Sequence, residues 1–301
     1  MPCNPETIVG EILGERARKG ANPAGKLFQC PYIKSTCTKR STSLGAQPYP
    51  LCSIWKGNAA SPTPGEHLIC VCPKRFHAID FLTDVIEHCW PGPKPANPRI
   101  APEVQMKGFG NVDFVVADLA DDGSIGQFLS VELQAIDITG SVRLAYEALR
   151  EGVDLDSRPT YGLNWDNVYK RYITQLIRKG YFHAHWNSKI VAVIQEQIYR
   201  NIVARADFMR TTDLTSDTVN IIFMTYRFGD DPDRPGEFVP VLATVEGTGH
   251  ANLQQAMLYK KAPSRDEFCE RIVKSLTRVE VSARTAALIE NFPDDLLGSG
   301  S

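Results

Sequence analysis

Three polar side chains interrupt apolar stretches at a spacing that suits metal chemistry. They are Asp113 in Gly110-Asn111-Val112-Asp113, and Glu132 and Gln134 in Val131-Glu132-Leu133-Gln134. Side chains at i and i+2 of a strand point to one face, so Glu132 and Gln134 converge. Pairing between the two strands can bring Asp113 beside them. Carboxylates gathered at a strand end bind hard divalent cations such as magnesium through oxygen. Such an ion lowers the pKa of a bound water and offsets charge building on a phosphoryl group. Glu103 can add a further acid, whereas Asp118, Asp121 and Asp122 read as turn residues and Asp137 fits either role.

A second cluster is made of thiols. Of the 8 cysteines, Cys30, Cys37, Cys52, Cys70 and Cys72 share one stretch, while Cys3, Cys89 and Cys269 stand alone. In a reducing compartment metal ligation explains such a cluster better than disulfides do. Four thiolates in a tetrahedral array suit zinc or iron. Cys30 and Cys37 form one expected ligand pair, completed by Cys52 and Cys72, with Cys70 the alternative to Cys72. The histidines, including the His183 and His185 pair, carry no readable ligand pattern.

Elements must position these groups. Residues 5–20 read as a short amphipathic helix with Ile8, Ile12 and Leu13 aligned. Residues 21–78, rich in Pro, Gly, Ser and Cys, show few apolar periods and need something other than a packed core to tie them down. A helix is expected at 77–89, followed by a proline-rich connector from Trp90 to Pro98. Val112–Ala117 and Phe128–Ile136 read as strands joined through Asp121-Asp122-Gly123-Ser124, an antiparallel hairpin. Helices follow at 141–150 and 164–179, the latter capped by Asn164 or Asp166. Strands are expected at 189–195, 219–228 and 238–245, and a helical tail at 250–261 and 264–279. The order predicts an α/β fold with a mixed β-sheet flanked by helices.

Glu103, Asp113, the Val131–Gln134 run, Asp137-Ile138-Thr139-Gly140 and the cysteine stretch with Cys72-Pro73-Lys74-Arg75-Phe76 together resemble the PD-(D/E)xK nuclease superfamily. Within it the wider context is similar to the NotI-type restriction endonucleases, over roughly residues 28–145. The expected domain order is an N-terminal helix at 1–20, a four-cysteine metal-binding region at 21–78 and a PD-(D/E)xK nuclease core at 79–301. The resemblance implies catalysis by Glu103, Asp113, Glu132 and Gln134, with magnesium on Asp113, Glu132 and Glu103. The cysteines would hold a structural iron, where thiolate chemistry alone also allows zinc. The expected substrate is double-stranded DNA, cut at a GC-rich palindrome to leave 5′-phosphates and read by a homodimer. One departure matters. The superfamily usually carries lysine where Gln134 stands, and a neutral amide can only orient water, leaving its activation to the metal.

The formal net charge of −2 argues against an indiscriminate polyanion binder, although acids and bases can be segregated. Candidate DNA contacts are Lys39-Arg40, Lys74-Arg75, Lys170-Arg171, Arg178-Lys179, Arg227, Arg234 and Arg265. Two rival readings are a non-catalytic, metal-stabilised DNA-binding protein and a structure-specific repair nuclease. No run approaches the roughly 18 apolar residues that span a bilayer, and the start lacks a signal-peptide pattern. A cytoplasmic location is expected.

Overall fold

The computed structural model describes residues 2–40, 47–57, 62–259 and 264–276. The chain divides into two compact units, Met1–Met257 and Leu258–Ser301. In the first, a 3-10 turn at Pro5–Thr7 precedes β1 (Val9–Ile12), β2 (Glu15–Arg16), β3 (Gln29–Cys30), β4 (Ser35–Thr36), β5 (Leu51–Trp55), α1 (Pro64–His67) and β6 (Leu68–Cys70). A second 3-10 segment, Pro73–Ala78, leads into α2 (Phe81–Cys89). Then come β7 (Pro98–Met106), β8 (Gly110–Leu119), β9 (Ile125–Gln134), β10 (Ile138–Gly140), α3 (Arg143–Glu151) and β11 (Tyr161–Leu163). A helical run follows, from α4 (Trp165–Asn167) through a π segment at Val168–Tyr172 into α5 (Ile173–His185). β12 (Lys189–Gln195), α6 (Glu196–Arg205), β13 (Ile221–Asp230), β14 (Phe238–Thr248) and α7 (His250–Leu258) complete the series. Of the second unit, α8 (Arg265–Leu276) is described.

The main sheet has six strands in the order β14-β13-β12-β9-β8-β7. β12 runs parallel to both β9 and β13, and the remaining neighbours are antiparallel, so the sheet is mixed as expected. Every residue of β12 is buried, because helices cover both faces of the sheet at its centre. On one face Ile190, Ala192, Ile194, Ile221 and Phe223 pack against Tyr146, Ile173, Leu176, Ile198 and Ile202 of the helices α3, α5 and α6. On the other, Leu129, Val131, Val191, Val193 and Met224 pack against Phe76, Phe81 and Val85. Asn164 caps the helical run by accepting from the Asn167 amide at 3.1 Å, one of the two caps expected.

Four readings are corrected. Residues 5–20 are not a helix. Leu13 and Gly14 turn the chain with φ of 51° and 76°, and β1 pairs with β2 and β5. At Gly10 a Cβ would collide with Leu68 Cδ1 and Ser53 Oγ, so close strand packing overrides the helical spacing of Ile8 and Ile12. Nor does the 21–78 stretch lack core residues. Cys30, Cys37, Tyr49, Leu51, Ile54 and Ile69 enter one core, and Trp55, Leu68 and Cys70 the other. Its strands β5 and β6 join β1 and β2 in a four-stranded sheet. The third correction is β7, an edge strand that begins at the last proline of the expected connector and pairs Pro98 to Asp118; an edge tolerates proline's missing donor. The fourth is α6, which the sequence reading did not include.

Candidate active site

β8 and β9 form the expected hairpin, with Phe114 opposite Val131. The Asp122 carboxylate braces its turn by accepting from the Ser124 amide at 2.9 Å. Period-two alternation sends Val131 and Leu133 into the α2-side core and Glu132 to the α5 side. Asp113 lies one residue beyond the Phe114–Val131 pair, and its Oδ2 accepts from the Leu133 amide at 2.8 Å, bridging the two strands where they separate. Asp113 and Glu132 therefore come together as expected.

Glu132 has a partner that sequence reading missed. Lys179 on α5 donates to Glu132 Oε1, and its second bond goes to the Asn111 carbonyl at 2.7 Å. The lysine side chain is 7% exposed and the glutamate 17%. Burial pushes the Glu132 carboxyl up to about 7, the Lys179 ammonium opposes this, and the Asp113 charge adds to it. Among the described residues Lys179 engages Oε1 and no donor engages Oε2. Tyr172 is buried beside these acids. Burial raises its hydroxyl well above the ordinary value, with Glu132 and Asp113 adding to it, and the oxygen has no hydrogen-bond partner among the described residues. A free carboxylate oxygen and an orphaned hydroxyl next to two carboxylates fit a hydrated divalent ion. Magnesium keeps several waters and needs only one or two protein carboxylates. A closed cage of three or more His, Cys, Asp or Glu is absent among the described residues.

Asp113 opens onto a cavity of about 400 Å³ lined by Pro73, Lys74, Pro102, Glu103, Phe114 and Leu133. Glu103 sits between the Pro102–Phe114 and Val104–Val112 pairs of β7 and β8, exposed, with φ of +52°. A left-handed backbone at a non-glycine residue costs about 1 kcal/mol or more and gathers at functional sites. Gln134 ends β9 on the Glu132 face, but its amide donates to the Ala135 carbonyl, turned to its own backbone.

The candidate DNA contacts divide. Lys74 lines the Asp113 cavity, and Arg178 is stacked 4.6 Å over the Phe109 ring. Arg75 is fully buried against Glu11, and Lys179 is committed to Glu132, so neither is a surface contact. Lys39 donates to the Leu51 carbonyl at 3.1 Å and to that of Val71.

The thiols also gather. Burial raises the Cys37, Cys52 and Cys70 thiols, and the Cys72 sulfur is close enough to add to each; Cys30 bears on Cys37. Cys70 packs in the α2-side core and donates to the Cys72 carbonyl at 3.2 Å, whereas Cys30 and Cys37 belong to the opposite core. The donor chemistry suits a thiolate-bound metal. The closed geometry does not, since no three of these sulfurs form a metal-holding group among the described residues and the Lys39 amine lies among them. Cys89 is buried with its thiol 3.8 Å from Met224 Sδ, and His183 is 3.2 Å from Ser188 Oγ.

No helix among the described residues is long and apolar enough to cross a membrane. A family model described as restriction endonuclease NotI matches residues 11–238, a span that holds the hairpin, Lys179 and all five clustered cysteines. No curated protein and no solved structure matches the chain. The chain belongs to the NotI family of restriction endonucleases, and so to the DNA-binding nucleases.

Proposed function

We propose that the chain is a type II restriction endonuclease. It would cut double-stranded DNA at a GC-rich palindrome, as a homodimer, on a PD-(D/E)xK core. The observation that supports this reading best is the pairing of Asp113 and Glu132 at the mouth of the β8–β9 hairpin, with an unengaged Glu132 oxygen and the cavity at Asp113.

Asp113 and Glu132 would hold magnesium, with Glu103 nearby on the lining of the same cavity as Asp113. When bound, the ion supplies an acidified water and charge compensation for the phosphoryl group. The chain's own residues do the positioning. Asp113 is fixed by the Leu133 amide, Glu132 by Lys179, and Lys74 puts a cation on the cavity wall. Gln134 would turn from its own backbone to orient water, acting as a hydrogen-bond donor and acceptor rather than a charge. Attack in line with the leaving 3′-oxygen leaves a 5′-phosphate.

Cys30, Cys37, Cys52 and Cys72 are proposed ligands of a structural iron or zinc on the strength of their donor chemistry. The sulfurs would have to draw together to hold it, since no three of them form a metal-holding group among the described residues. Cys72 is favoured over Cys70 because Cys70 packs into the opposite core from Cys30 and Cys37. Elemental analysis of the purified chain should find iron or zinc, and Cys72→Ser should lose it while Cys89→Ser keeps it.

Digestion of a plasmid of known sequence tests the main reading. Discrete bands that require magnesium support it; a smear favours a structure-directed nuclease, and no scission favours a non-catalytic binder. Asp113→Ala or Glu132→Ala should lower cleavage about a thousandfold while DNA binding survives. Full cutting by either variant would overturn the assignment.

A further inference from the structure

The strand position that carries lysine in the superfamily is Gln134 here, yet the site has an ammonium. It arrives from another element. Lys179 lies on α5, 47 residues from Glu132 in sequence, and is held from two sides by the Asn111 carbonyl and the Glu132 carboxylate. The approach is built into the helix packing. The next residue is Gly180, where a Cβ would meet Ile221 Cγ1 at 2.7 Å and Cδ1 at 2.8 Å. A larger residue would have to displace the buried Ile221 side chain or move α5. The Asn111 carbonyl belongs to the same strand as Asp113, so one ammonium ties both acid-bearing strands to the helix.

Resting on the nuclease reading above, we propose that Lys179 is a positioning residue for cleavage. It replaces, from the helix, the ammonium that position 134 lacks. It fixes Glu132 through Oε1, leaves Oε2 without a donor among the described residues, and sets one positive charge beside the acid that Asp113 neighbours. A buried lysine–glutamate pair that served packing alone would have little advantage over apolar side chains of similar volume, which are often neutral or better. Lysine is also the fitting choice over arginine, because a compact point charge occupies one carboxylate oxygen where a planar fork takes both.

The test uses the full chain and a plasmid substrate with magnesium, measuring single-turnover cleavage, DNA affinity without divalent ion, and melting temperature. Lys179→Met keeps most of the buried stem and should lower the cleavage rate about a hundredfold. DNA affinity should stay within about twofold, and more magnesium should be needed for half-maximal rate. The discriminating variant is Lys179→Met combined with Gln134→Lys. Returning an ammonium to the strand position should recover at least about tenfold of the lost rate, which a merely structural role would not allow. Wild-type rates in Lys179→Met overturn the proposal, and so does a loss that Gln134→Lys leaves uncorrected. A wild-type chain that never cuts would bring down the nuclease reading itself. A wild-type chain that cuts, loses activity in Asp113→Ala and keeps it in Lys179→Met would overturn the lysine alone.

Discussion

Among the described ion pairs of the first compact unit, two have both side chains largely buried, and they are built differently. Glu11 and Arg75 are both fully enclosed. The guanidinium gives Nε to both Glu11 oxygens at 3.1 Å, and Nη2 to Oε1 at 2.8 Å and the Phe238 carbonyl at 2.6 Å. It also lies over the Tyr32 and Phe228 rings. Glu132 and Lys179 sit at a hairpin mouth, joined through one oxygen, with a second acid alongside that works against ionisation. A guanidinium that takes both oxygens leaves the carboxylate nothing for a ligand, although Arg75 Nη1 itself has no partner among the described residues. A point charge that takes one leaves a carboxylate half free in a low-dielectric pocket, and perturbed acids of that kind mark working sites more often than structural ones. The first pair ties β1 to the Pro73–Ala78 segment and β14, and the second is available for chemistry.

The contrast can be broken at either end. The largest effect on stability is expected at the enclosed pair. Glu11→Ala strands a buried guanidinium and should cost roughly 3–5 kcal/mol in chemical denaturation, whereas the double change Glu11→Leu with Arg75→Met should recover much of it. If the single variant melts like the wild type, that pair is not the structural clamp described.

A middle-sized effect follows from Glu132. Its carboxyl stands near 7 in the fold against an ordinary 4.5, so the folded chain favours the protonated form. The stability linked to it is complete below about pH 4.5 and is lost as pH rises toward 7. Glu132→Gln has no such titration. Its stability relative to the wild type should therefore rise by about 2 kcal/mol from pH 5 to pH 8 in metal-free buffer, on top of a pH-independent loss from leaving Lys179 without a carboxylate. Thermal melts at several pH values check this, and parallel curves for the two proteins would sink it.

The smallest effect concerns Glu103. Replacing this left-handed residue by glycine relieves backbone strain and should stabilise the chain by up to about 1 kcal/mol while slowing cleavage. A Glu103→Gly variant that is no more stable would show that the surrounding strands, rather than the site, set that backbone angle.

Legibility in the sequence followed the range of the forces. The β8–β9 hairpin was readable because alternation and the Asp121–Ser124 turn act between near neighbours, and the same alternation paired Asp113 with Glu132. The 165–185 helical run was readable from its period and from Asn164, its cap. Residues 5–20 misled, because Ile8, Ile12 and Leu13 fit a helical stripe equally well, and the cue against it was glycine at 10 and 14. β7 was hidden by prolines that an edge strand tolerates. Arg75 looked like a surface cation beside Lys74, and only its burial on Glu11 shows otherwise.

The sequence alone determined which groups can do chemistry, the hairpin that carries two of them, the mixed α/β class and the family resemblance. These follow from side-chain identity and from periodicities of two and 3.6 residues, which need no knowledge of distant contacts. Tertiary structure alone decided which cation meets which acid. Lys179 and Arg75 each belong to an unremarkable basic pair in sequence, and one reaches Glu132 while the other closes on Glu11. Helix and strand packing over separations of 47 and 64 residues sets that choice, and no local pattern encodes it.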